Sequence, residues 1–162
     1  MSIKLLGISG STRTASLNRR LLRACLHRAE SEGAETTLID LKALDIPLYD
    51  GDLEDTNGVP ENARKLKRLF LAQDGIFLSC PEYNAGISPL LKNTLDWISR
   101  VKEPGDPYKT KVFALGAAST GAFGGMRGLI GMRTILEVGL GAMVLPQMVA
   151  VSNAAGAFDE KG

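Results

Sequence analysis

Histidine is almost missing from this chain: His27 is the single one among 162 residues. It follows Arg23 by four positions on the basic face of an amphipathic segment, where a solvated helix residue is the ordinary reading. Serine–histidine triads and zinc–histidine centres therefore lack their central group. The early stretch GISGS (residues 7–11) is also not the G-x-S-x-G elbow of a serine hydrolase, because its fifth position is Ser11 rather than glycine. Cysteine is scarce too. Cys25 and Cys80 form no metal-ligand spacing and fall inside expected secondary structure, as suits a reduced, cytoplasmic protein. With 19 basic and 18 acidic side chains the net charge is +1, far from the basic excess of a nucleic-acid groove. No apolar run nears the ~20 residues that cross a bilayer. The start, MSIKLLGISG, lacks a charged segment followed by a long apolar one, so no secretion signal is expected. Repeats and low-complexity segments are absent as well.

What remains is an ordinary globular mixture, 44% hydrophobic and 23% charged, enough chain for one domain over residues 1–162. Short apolar runs alternate with amphipathic ones. Residues 3–9 (IKLLGIS) read as a buried strand, and 17–32 as a helix with Leu17, Leu21, Leu22, Cys25, Leu26 and Ala29 on one stripe. AETTLIDL reads as a second strand, and 44–59, rich in Asp, Gly and Pro, as a loop. A helix is expected from Pro60 through ENARKLKRLFLAQ, then a third strand, DGIFLSC, apolar on both faces. Ser88 and Pro89 start a helix through SPLLKNTLDWISRV. KVFALGAAS, residues 125–138 and GAMVLPQMVAV supply a fourth strand, a helix and a fifth strand. Such alternation means a doubly wound parallel sheet with helices on both faces. By itself it leaves the order open between 2-1-3-4-5 and a truncated dinucleotide fold. The 11 residues after Val151 show no helical stripe, so a final covering helix is expected to be missing.

Ligands of such sheets sit beyond the carboxyl ends of the strands, which singles out three loops. The first, GISGSTRTASLN, gathers Ser9, Ser11, Thr12, Thr14 and Ser16 with the cation Arg13 and the amide of Asn18. A helix starting near Leu17 adds free N–H groups and the positive end of its dipole. A terminal phosphate monoester needs many convergent donors, and this loop supplies them. Neither the G-x-G-x-x-G fingerprint of a dinucleotide fold nor the G-K-[ST] of a P-loop is present. The second loop, PEYNAGISP, carries a stiff Pro81, a flat Tyr83 and Gly86, which lets another group approach closely. Its amides suit the edge of a planar heterocycle, although a plain chain reversal has the same composition. The third, ASTGAFGGMRG, is dense in glycine, which suits either backbone lying on a flat ligand or close packing. Gly128 and Gly131 read as packing residues, and Arg127 as solvent-facing.

These residues carry a resemblance. GSTRTASLN (10–18) resembles the G-S-x-R-x-x-S-x-N phosphate loop of the NAD(P)H-dependent FMN reductase family. PEYNAGISPLLKNTLDW (81–97) is similar to that family's P-E-Y-N signature, and STGAFGGMRG to its third loop; together they span residues 3–151 in order. The resemblance implies a flavodoxin-like 2-1-3-4-5 sheet holding FMN without a covalent bond. Ser11, Arg13, Ser16, Leu17 and Asn18 would then cradle the phosphate, Leu17 through its N–H. Pro81, Glu82, Tyr83 and Asn84 would border the ring, Ser119, Thr120 and Gly121 would close its other side, and Gly86 would lie on the substrate approach. It further implies ping-pong transfer of hydride from NADPH or NADH to flavin N5, then to a flavin, quinone, azo compound, chromate or ferric iron. No catalytic side chain is required, because the flavin carries the chemistry. A cytoplasmic homodimer or homotetramer is implied, with the LLKNTLDWISR helix near the interface. Members continue into a final helix, which SNAAGAFDEKG does not announce. The alternative is a flavodoxin-type electron shuttle, which the lack of strong acidity opposes. Iron–sulfur flavoproteins need a cysteine cluster, receiver domains need clustered aspartates where Ser9 and Cys80 stand, and dehydrogenases need a glycine fingerprint and a second domain.

Overall fold

A strand flanked by parallel neighbours and covered on both faces has no solvent side, so every position tolerates an apolar residue. GIFLS meets that demand, and it becomes the central strand. The computed structural model describes residues 2–159. Their order is β1 (Lys4–Ser9), α1 (Leu17–Ser31), β2 (Glu35–Ile39), α2 (Leu41–Leu44), α3 (Gly51–Asn57), α4 (Glu61–Leu71), β3 (Gly75–Ser79), α5 (Pro89–Arg100), β4 (Val112–Ala118), α6 (Met126–Thr134) and β5 (Met143–Val151). The five strands are parallel in the order β2-β1-β3-β4-β5. That order is the flavodoxin-like one and excludes the dinucleotide alternative.

Each sheet face has its own helices. Leu66 and Phe70 of α4, Leu95 and Ile98 of α5, and Leu129 and Met132 of α6 pack on Leu6, Ile8, Ile76, Leu78, Phe113 and Leu115. On the opposite face lies α1, whose Leu22 and Leu26 fill the space over Gly7; a Cβ there would meet their methyls at 2.8 and 2.6 Å. Serines start the two helices nearest the strand ends. Ser16 accepts from the Arg19 N–H and Ser88 from the Leu91 N–H, with Pro89 at the first helical position.

Three expectations change. Residues 44–59 are not one loop, because α3 forms inside them. Asp50 caps it by accepting from the Asp52 and Leu53 N–H groups, and Asp52 and Glu54 in its first turn complement the dipole. Glu54 then holds α3 to α5 by accepting from Arg100 Nε at 2.7 Å and from the Tyr49 hydroxyl at 3.0 Å. Likewise the second strand stops at Ile39, since Asp40 turns from strand to cap of α2. The helix expected over 125–138 is α6 continued by a π-helical turn, Ile135–Gly139. Among the described residues no α-helix follows β5, and Met143, Leu145 and Val149 of this edge strand are exposed. A short 3-10 turn, Ala154–Gly156, instead folds back, burying Ala154 against Leu21 and Ala118.

Phe70 is fully buried, edge-on to Tyr108 and tilted against Phe113. Phe70→Ala is expected to cost about 3–5 kcal/mol of folding free energy in chemical denaturation. A loss below ~1 kcal/mol would show that this face does not carry the core.

Candidate functional site

Between β1 and β3 the chain reverses direction of strand order, and the crevice above that point is where such sheets hold ligands. The loops after β1, β3 and β4 meet there around a cavity of about 370 Å³, within the range of cofactor sites. Ser11, Arg13, Ser16, Leu17, Asn18, Pro81, Glu82, Tyr83, Ser119 and Thr120 all line it. Asn84 and Gly121 stand one residue beyond the lining, and Gly86 lies further along its loop. Ala15, Ala118 and Ala155 line it without having been expected. Ala118 was findable as the last residue of β4. Ala155 carries no local signal; the fold-back of the segment after β5 brings it in.

The first loop is arranged to receive negative charge. Ser9, Ser11 and Ser16 are buried, while Thr12, Arg13 and Thr14 are exposed. The Ser9 hydroxyl accepts from the Ser11 N–H at 3.3 Å, and the Ser16 hydroxyl from the Arg19 N–H at 3.2 Å. Leu17 and Asn18 open α1, so their N–H groups have no acceptor within the helix. No acidic residue occupies the first turn of α1, and among the described residues Arg13 has no ion-pair partner. The positive end of a 15-residue helix and one guanidinium thus stand uncompensated beside the cavity.

Asn18 does something the sequence did not reveal. Its Nδ2 donates to the Ala118 carbonyl at 2.9 Å, and its Oδ1 accepts from the Ala118 N–H at 3.1 Å. The Ser79 hydroxyl donates to the Asn18 carbonyl at 2.8 Å and reaches its Oδ1 at 3.2 Å. The side chain expected to hold phosphate is therefore occupied in joining the ends of β3 and β4 to α1. Toward a ligand it leaves chiefly its backbone N–H.

A second joint links the first two loops. Ser88, already the cap of α5, donates to the Gly10 carbonyl at 2.7 Å. Gly10 has to be glycine here, because a Cβ would lie 2.6 Å from Leu91 and 2.9 Å from the Ser88 hydroxyl. In the second loop Tyr83 and Gly86 exchange both backbone bonds, at 3.0 and 2.9 Å. Between them Asn84 and Ala85 are both left-handed, with φ of 50° and 62°, as a tight I′-type turn requires. Gly86, expected on the approach to the ring, closes this turn.

The glycines of the third loop serve packing. Gly125, at φ 87°, would place a Cβ 2.6 Å from that of Ala117, and Gly128 one 3.2 Å from that of Glu82. Gly131 similarly abuts Ile87. Arg127, expected to face solvent, pairs with Glu82. No side chain here is poised as a nucleophile. Burial pushes the Cys80 thiol, at the end of β3, far up from its usual range, so it stays protonated.

Residues 3–156 match the family model described as NADPH-dependent FMN reductase. An NAD(P)H-dependent FMN reductase of Pseudomonas aeruginosa is 34% identical over 161 residues, 99% of this chain and 83% of that one. A quinone reductase of Escherichia coli is 34% identical over 143 residues, 88% of this chain and 73% of that one. Among solved structures, the flavoenzyme NAD(P)H:(acceptor) oxidoreductase of Paracoccus denitrificans superposes with a TM-score of 0.77 at 26% identity, covering 90% of this chain and 78% of that one.

Asn18→Ala leaves the buried N–H and C=O of Ala118 without their partner, while the Ser79 hydroxyl keeps its bond to the backbone carbonyl of residue 18. It is expected to lower folding stability by about 1–3 kcal/mol in urea titration of the ligand-free protein. An unchanged midpoint would contradict the joint described for this carboxamide.

Proposed function

The chain belongs to the NADPH-dependent FMN reductase family, and we propose that its three-loop cavity holds FMN with the phosphate in the first loop and the ring between the second and third. The observation that carries this reading is the donor set. Two unpaired helix N–H groups, buried serine hydroxyls and the uncompensated Arg13 converge on one end of the cavity. That set suits a dianionic phosphate monoester and would be costly around an apolar group.

When bound, FMN supplies the redox chemistry, accepting hydride from NAD(P)H and reducing an acceptor. The chain's own part is binding, orientation and exclusion of water. Leu17 and Asn18 offer N–H groups to phosphate oxygens, and Ser11 and Ser16 offer hydroxyl protons. Arg13 contributes a fixed charge that can form paired hydrogen bonds. At the other end, Pro81 and the closed Tyr83–Gly86 turn form a stiff edge for a flat ring. Tyr83, 46% exposed, offers a planar surface to a second aromatic ligand. Ser119 and Thr120 form the opposite wall.

Membership of a reductase family and the near-neutral charge favour an enzyme over a flavodoxin-type shuttle. The acceptor we propose is a quinone or free flavin, planar molecules that a flat, open site admits; azo compounds, chromate and ferric iron are further acceptors of the same chemistry. A homodimer or homotetramer is the proposed assembly. Phe123 just before α6, Ile130 on it and Val138 in the turn after it, 67, 54 and 82% exposed, support it by leaving apolar side chains in the open. No helix among the described residues is long and apolar enough to cross a membrane. Two free thiols support a reducing, cytoplasmic setting.

Reconstitution with FMN and anaerobic addition of NADPH tests the reading. Bleaching of the visible flavin band within seconds, and its return on adding a quinone, are expected; a band that persists would favour the shuttle. Arg13→Ala is expected to weaken FMN binding by about 1.5–3 kcal/mol, roughly 10- to 100-fold in dissociation constant. An unchanged constant would remove Arg13 from the phosphate site.

A further inference from the structure

One charged side chain at the cavity is buried rather than presented to a ligand. The Glu82 side chain is 7% exposed. Its carboxylate accepts from Arg127 Nε at 2.8 Å, from the same guanidinium's Nη2, and from the Gly128 N–H at 3.1 Å. Withdrawing an ionised carboxylate from water is unfavourable unless it is paired and hydrogen-bonded, and here three donors meet it. Two of the partners belong to the first turn of α6, whose dipole also favours an anion. Gly128 lets the contact form, since a Cβ there would sit 3.2 Å from the Glu82 Cβ. Arg127 is itself steadied by lying over the Phe123 ring, 5.1 Å from its centroid.

The pair therefore spans the two loops on either side of the ring site. Glu82 adjoins the turn whose Asn84 and Ala85 are both left-handed, a conformation that for alanine persists only when its surroundings hold it. Arg127 and Gly128 are rooted in the helix that follows the opposite wall. Burial pushes the Glu82 carboxyl upward, but the Arg127 and Gly128 bonds outweigh it and hold the group below its usual range, so it stays ionised at neutral pH.

We propose that Glu82 and Arg127 are positioning residues for the redox reaction: their ion pair locks the ring-bordering turn to α6, so that the two walls of the ring site keep one spacing and set the tilt of the ring toward its hydride donor. The assignment rests on the FMN reading above. It also gives Arg127 a role other than anion recognition, since its charge is already met by Glu82, and leaves Arg13 as the uncommitted cation of the cavity.

The test uses Glu82→Gln, Arg127→Met, the double variant and Arg127→Lys. In flavin-free protein, amide hydrogen exchange at Tyr83 and Gly86 is expected to accelerate roughly tenfold in either single variant, with global unfolding temperature little changed. In FMN-saturated protein, the visible circular dichroism of the flavin shifts. The rate constant of its reduction at saturating NADPH falls roughly tenfold, because small misplacements of reacting atoms are costly. The NADPH concentration for half-saturation stays within about twofold. The double variant is expected to be no slower than the worse single one, and Arg127→Lys to recover part of the rate. Arg127 is 55% exposed on its side chain, so its variants carry the test even where Glu82→Gln folds poorly.

Unchanged exchange and reduction rates in the Arg127 variants would overturn the proposal, as would losses that multiply in the double variant. A raised half-saturation with an unchanged rate constant would overturn it too, by making Arg127 a nucleotide-binding residue. Wild-type protein that binds no FMN would defeat the functional reading along with it. Wild-type protein that binds and reduces normally, with variants that match it, defeats this proposal alone.

Discussion

One carboxamide sets the terms for the rest of the site. At the strand ends that face a ligand the backbone ladder gives out after a last bond, such as that from the Cys80 N–H to the Gly116 carbonyl, and side chains continue the connection. The Asn18 side chain crosses that gap, using donor and acceptor on both backbone groups of Ala118 while the Ser79 hydroxyl meets it from β3. Buried polar networks of this kind confer rigidity only when every member is satisfied, and among the described residues no buried side-chain polar atom lacks a partner. With the ends of β3 and β4 held to α1, the first turn of that helix has a defined direction over the crevice.

That direction gives the cavity its charge. The sequence as a whole is almost neutral, yet the first turn of α1 holds no acidic residue, Arg13 has no ion-pair partner among the described residues, and Glu82 in the cavity lining is paired with Arg127. Several cations elsewhere are paired, as with Arg19 and Asp40, Arg100 and Glu54, or Arg127 and Glu82. The proposed recognition of a phosphate thus rests on a local set of donors rather than on an overall excess of basic residues. The absence of histidine from the cavity and the protonated Cys80 thiol fit the same division of labour. The protein binds and orients, and the cofactor carries the electrons.

Much of this was legible in advance, for identifiable reasons. The strands and the helices α1, α4 and α5 announce themselves through periodicity and through Ser16, Ser88 and Pro89. The loops at the strand ends follow from topology alone. What could not be read was long-range. The partner of Asn18 is 100 positions away, so an amide within a hydroxyl-rich loop looks like a ligand rather than a tie. The glycine at 125 looks like room for a flat molecule until Ala117 is seen filling that room, whereas Gly128, read as a packing residue, does pack on Glu82. Ala155 enters the cavity through a fold-back with no sequence signature. The turn at Asn84–Ala85 lacks the glycine that normally marks left-handed backbone. By contrast α3 was readable: Asp50 followed by an acidic first turn is a cap signal, obscured by the surrounding Gly and Pro.

The central claim is that the first loop recognises a terminal phosphate, and comparing FMN with riboflavin tests it most directly. The two ligands share the ring and differ in the phosphate. If several charge-assisted hydrogen bonds hold that group, titration of the ligand-free protein by flavin fluorescence should show FMN binding at least about 100-fold more tightly than riboflavin. Equal affinities would mean that the ring alone is recognised, and would contradict the account.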